Sequence, residues 1–142
     1  MSESRKITEV LANALSAKRN CARSGNKIWE ERHQIVIDYC LEQLPHGGGF
    51  DAGTKFVEEN SSISKLVFFT EFHHMNDVGY YDGWTQHRVT VIPSFIGLEI
   101  KVSGQNRNNI KDYIAEAFEN CFRQEIENDT IRDLLVKENE TV

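Results

Sequence analysis

The chain is short of the residues that brace secreted or membrane proteins. Only three cysteines occur in 142 residues, Cys21, Cys40 and Cys121, odd in number and far apart. That spacing fits neither a disulfide framework nor a zinc site, and it suits reduced, mostly buried thiols in a cytoplasm. No apolar run approaches the roughly 20 residues needed to cross a bilayer, so no membrane-spanning helix is expected. Arg5, Lys6 and Glu9 interrupt any signal-peptide core at the N-terminus. Positive charge is also scarce. The net charge is −6, and an acidic body disfavours general nucleic-acid binding, which needs cations to displace counterions from phosphates. Residues 1–27 depart from this with six basic against two acidic side chains. An acidic surface of this kind can dock on a basic protein surface.

What is present suits one globular α+β domain over residues 1–142, 39% hydrophobic and 10% aromatic. Residues 1–25 form an N-terminal helix that could pack separately, and 126–142 a short terminal helix and tail. Ile7, Val10, Leu11, Ala14 and Leu15 fall on one helical face. Ser24-Gly25-Asn26 breaks that helix and caps a second, which runs to about Leu44 with Trp29, His33, Val36 and Cys40 in its stripe, before Pro45 stops it. Four strands follow, Thr54 to Glu59, Lys65 to Met75, Trp84 to Ile92 and Phe95 to Ser103, with alternating apolar positions. Short links between them predict an antiparallel meander. Phe68 is expected opposite Val91, Thr70 opposite Val89, and Phe72 opposite His87. A third helix starts near Asn108 or Asn109, with Ile110, Tyr113, Ile114, Ala117, Phe118 and Phe122 as its stripe. A fourth opens near Thr130. The expected fold is a two-layer sandwich of helices on one sheet face. Val67 and Phe69 then point to the other face, where a helix or a partner must cover them, and association of copies through that face or through the first helix is one outcome.

The segment from Phe72 to His87 crowds three histidines, two acids, two tyrosines, a tryptophan and two glycines into one hairpin tip. Tyr80, Tyr81 and Trp84 offer contact area at low entropic cost, and with Asp77, Asp82, His73 and His74 they form the candidate binding surface. His73 and His74 alternate to opposite faces, and His87 falls on the apolar face as a core histidine. If a metal were held, His74, His87, Asp77 and Asp82 are the local set to hold it, although zinc needs three or four ligands converging at about 2 Å. His46, Gly47, Gly48, Gly49 and Asp51 form a second, ligand-loop candidate. That loop follows a helix, whereas phosphate loops lead into one. No nucleophile–base pair can be named and no cofactor is called for, so the reading leans away from an enzyme.

Leu44-Pro45-His46-Gly47-Gly48-Gly49-Phe50-Asp51, then Phe72-His73-His74-Met75 through Gly79-Tyr80-Tyr81-Asp82-Gly83-Trp84-Thr85 and His87, then Ser103-Gly104, Arg107-Asn108 and Ile110-Lys111-Asp112-Tyr113-Ile114 carry a resemblance. Over residues 29–122 the chain resembles a family of small proteins encoded by bacteriophages and other mobile elements, with Gly48 where that family carries serine. The resemblance implies an accessory gene acting in the host bacterial cytoplasm. The leading reading is a non-enzymatic protein that binds and inhibits a host or anti-phage defence protein, in an anti-CRISPR-like or other anti-defence role. The alternative is a small metal-dependent hydrolase or nucleotide-binding protein using the His/Asp cluster and the glycine loop.

Overall fold

A computed structural model describes residues 3–51, 53–57, 65–94 and 97–136. The protein is α+β, with four helices and two antiparallel sheets among these residues. They fall into two compact units, one from both ends of the chain (3–43 and 122–136) and one from its middle (44–121).

The first unit is helical. Strand β1 (Ser4–Lys6) leads directly into α1 (Ile7–Ser24), which buries Ile7, Val10, Leu11, Ala14 and Leu15 along the expected face. Gly25, at φ 76°, ends α1 in the left-handed conformation, and Asn26 Oδ1 then accepts the Trp29 N–H to cap α2 (Lys27–Leu41). Helix α2 ends three residues before the expected Leu44, because the N–H groups of Glu42 and Gln43 close its last turn on Asp38 and Cys40. Arg32, Val36, Ile37 and Cys40 are its buried positions, and the Arg32 guanidinium lies 4.6 Å over the Trp29 ring. Burial pushes the Cys40 thiol up to about 12. Strand β6 (Glu125–Glu127) pairs with β1, Arg5 opposite Ile126, and runs into α4 (Asn128–Val136), which packs against α2. Helix α4 starts two residues before Thr130, and the expected tail beyond Val136 lies outside the described residues.

The second unit is a four-stranded antiparallel sheet in the order β2-β3-β4-β5. Its strands are Thr54–Phe56, Leu66–Met75, Tyr81–Ser94 and Gly97–Gly104. The expected continuation of β2 to Glu59 and the Phe95 start of β5 lie outside the described residues. Helix α3 (Ile110–Phe122) lays Phe118 on Phe68, with ring centroids 5.5 Å apart. Leu66, Phe68, Thr70, Val89 and Val91, on the sheet face that Phe118 meets, are fully buried.

The register differs from expectation. Phe68 faces Val89, Thr70 faces His87 and Phe72 faces Thr85. The slip is two residues because β4 begins at Tyr81, three residues early, after a turn of only Asn76 to Tyr80. A slip of two keeps every side chain on its face, so the division between covered and open faces survives. The other face, here the open face for its exposed end at Phe69, is covered at Val67, which is fully buried.

Candidate functional site

The β3–β4 hairpin is built around Asn76. Its carboxamide Oδ1 accepts the N–H groups of Val78 and Tyr80, its own N–H donates to Tyr80 O, and its carbonyl accepts the Gly79 N–H. Four bonds from one residue fix the turn, and Gly79 at φ 87° supplies the left-handed step. On β4 two residues, Asp82 and Gly83, stand against the single His74 between the pairs His73–Trp84 and Met75–Tyr81. This is a β-bulge, with Gly83 at φ 86°. Arg107 straps it down, donating from Nη1 to Asp82 O at 2.7 Å and from Nη2 to Asp82 Oδ2. A Cβ on Gly83 would stand 3.6 Å from that guanidinium.

Trp84 is opposite His73 on the open face. Tyr81 faces Met75, stacks on the His73 ring at 5.5 Å and shares a 2.9 Å hydrogen bond with His73 Nδ1. The result is a row of Tyr81, His73 and Trp84 beside an apolar tip. Met75, Val78, Tyr80, Tyr81 and Trp84 are 67, 74, 72, 62 and 52% exposed. Asp77 is also exposed in the turn, whereas Asp82 is engaged by Arg107.

Behind this surface the covered face turns polar. His74 is buried, its Nε2 2.7 Å from Thr85 Oγ1, and its ring lies edge-on to Phe72 at 5.2 Å. Burial holds His74 below the ordinary histidine range. The Arg107 and His87 charges, and more weakly His73, act the same way, while Asp82 opposes them. His87 is 1% exposed, and its Nε2 lies 2.7 Å from Gln105 O. A carbonyl only accepts, so Nε2 carries a proton, and Nδ1 is buried with no hydrogen-bond partner among the described residues. Thus His73 and His74 do part to opposite faces, and His87 sits in the core. Among the described residues no three His, Cys, Asp or Glu side chains converge as metal ligands. The set His74, His87, Asp77 and Asp82 is divided between core, turn and salt bridge.

The glycine loop seats an aromatic plug. Gly47 N–H donates to Asp51 Oδ1 at 2.7 Å and His46 Nδ1 lies 3.2 Å from Leu44 O, so both polar side chains serve the loop's own backbone. Gly47 and Gly48 take φ 82° and 54° and turn the chain so that Phe50 is buried. Phe50 stacks on Tyr113 at 6.0 Å and meets Phe72 edge-on at 5.1 Å. Gly49 lies against the Phe72 ring, leaving no room for a Cβ.

Sequence reasoning missed Asn76 as the organiser of the turn and the Arg107–Asp82 strap. Asn76 was legible as a turn residue before Val78-Gly79, but Arg107 stands 25 residues from its partner with no local signal. No known protein family, curated protein or solved structure matches the chain. No described helix is long and apolar enough to cross a membrane.

Proposed function

We propose that this chain is a non-enzymatic binding protein whose β3–β4 hairpin docks on a partner protein. The observation that carries this is the standing exposure of Met75, Val78, Tyr80, Tyr81 and Trp84 on one hairpin whose backbone is pinned by Asn76 and by Arg107. Large side chains held out in water lose solvent contact when they dock, and a pinned backbone keeps the ordering cost of binding low. Tyrosine and tryptophan dominate the energetic centres of interfaces. Asp77 at the rim and the acidic balance of the chain favour a basic partner surface. The resemblance to phage and mobile-element accessory proteins makes that partner a host or defence protein, inhibited by occupation in the bacterial cytoplasm.

The test is capture from bacterial lysate with the immobilised chain, followed by titration of the recovered partner. Wild type is expected to retain one partner stoichiometrically. Tyr80→Ala/Trp84→Ala is expected to lose it while keeping its melting temperature, since both side chains are exposed. Equal capture by the double variant would refute the hairpin as the docking surface.

A further inference from the structure

Strand β5 is one edge of the larger sheet. Among the described residues it has β4 on one side and no strand on the other. An edge strand directs alternate N–H and C=O groups away from the sheet, and proteins usually protect such a row with proline, a short length, charged side chains along the edge or a charge pointing into the core. Here β5 runs eight residues without proline, Gly97–Gly104, and its charges Glu99 and Lys101 stand on the open face opposite Ile92 and Thr90. Its covered-face residues are Leu98, Ile100 and Val102, opposite Pro93, Val91 and Val89. These three are half-buried, whereas Val89 and Val91 one strand further in are fully buried. Among the described residues the apolar layer therefore runs out at β5 with no strand to continue it.

The sequence Leu98-Glu99-Ile100-Lys101-Val102 reads symmetrically about Ile100 in chemical type. We propose that β5 pairs antiparallel with β5 of a second copy, centred on Ile100, so that two four-stranded sheets join into one of eight strands. In that register Ile100 faces Ile100 of the second copy, Leu98 faces Val102, and each Glu99 faces a Lys101. Within one copy Glu99 and Lys101 already lie 3.6 Å apart on the same face, both well exposed, so the pairing adds cross-chain attraction without uncovering a buried charge. A slip by one residue would set each strand's covered-face residues against the other's open-face residues, and a slip by two would leave charged residues unmatched. The two-fold contact is closed and uses the same strand on both copies, so it ends at a dimer. This edge lies outside the hairpin surface proposed above, and its test is independent of that reading.

The experiment measures mass by sedimentation equilibrium on the full chain and on three variants, Glu99→Lys, Lys101→Glu and Glu99→Lys/Lys101→Glu. Wild type is expected to pass from one chain to two as concentration rises toward about 1 mM, the range in which weak contacts are populated. Each single reversal sets like charges opposite one another twice per dimer and is expected to weaken association about tenfold. The double reversal exchanges the partners and restores wild-type association. An equimolar mixture of the two single variants is expected to form the mixed dimer, because one then presents two lysines and the other two glutamates. Recovery in the double variant and in the mixture also shows that the single variants are folded. A wild-type mass of one chain throughout, or single reversals that associate as tightly as wild type, would overturn the proposal.

Discussion

Replacing Gly49 with alanine isolates one steric contact. Gly49 has no positive φ to protect, so its backbone accepts an L side chain. The obstacle is the Phe72 ring, three of whose carbons would lie within 2.7 Å of the new Cβ. Carbon atoms rest at about 3.5–4.0 Å, so the ring must retreat by roughly 1 Å. Its retreat is blocked by Phe50, Tyr113 and His74, with centroids 5.1, 5.7 and 5.2 Å away. Overpacking of this kind costs about 1–3 kcal/mol. Stiffening the unfolded chain returns about 0.4–1 kcal/mol. The net expectation is a loss of about 1–2 kcal/mol, read from urea unfolding followed by tryptophan and tyrosine fluorescence. In a Phe72→Leu background the smaller side chain vacates the ring's far end. There Gly49→Ala should be neutral or mildly stabilising, giving a coupling of at least about 1 kcal/mol in the double-mutant cycle. A stability gain in the single variant, or identical costs in both backgrounds, would refute this account of why glycine stands at 49.

Two further expectations concern the covered face. Gly104→Ala should cost more than about 2 kcal/mol in the same unfolding assay, because φ 113° disfavours a side chain and the Cβ would come within 2.6 Å of Gln86 O and 3.0 Å of His87 Cδ2. For pH, His74 is held low by burial and by Arg107, so the unfolded chain takes up its proton first on acidification. Stability from this group is complete above about pH 6.5 and falls as the pH drops from there toward the lowered native value, by at most about 1.4 kcal/mol per pH unit per histidine. His33, also lowered by burial, adds in the same direction. His74→Gln should flatten the stability profile between about pH 7 and 5, and an unchanged slope would remove His74 from the account.

Much of this architecture is legible where a pattern repeats. Ile7, Val10, Leu11, Ala14 and Leu15 mark α1 because burial on a helix recurs at i, i+3 and i+4, and the alternation through Leu66, Phe68 and Thr70 marks β3 in the same way. The paired strands β1 and β6 escaped because Ser-Arg-Lys and Glu-Ile-Glu are too short to show any period. Their pairing is specified only by distant partners such as Ser4 Oγ and Glu125 Oε2, 2.9 Å apart. The two-residue slip in the β3–β4 register escaped for another reason. Side-chain alternation fixes which face a residue takes, whereas the offset between strands is set by the Asn76 turn and the Asp82-Gly83 bulge. At the candidate site, the crowding of chemistry between Phe72 and His87 was visible, and so was the core position of His87. The division of labour was not. Asp82 is taken by an arginine 25 residues away, and the glycine loop serves Phe50, a distinction that depends on Phe72 and Tyr113 arriving from elsewhere in the chain.

The joining of Ser4–Lys6 to Glu125–Glu127 has a consequence for biosynthesis. The helical unit draws β1, α1 and α2 from residues 4–41, and β6 and α4 from residues 125–136, on the far side of the sheet unit in sequence. Emerging from a ribosome, α1 and α2 must wait with part of their apolar faces in water until residues 122–136 arrive, while the contiguous sheet unit already has every strand it needs. The sheet unit can therefore mature first, and the helices that precede it are finished by the segment that follows it.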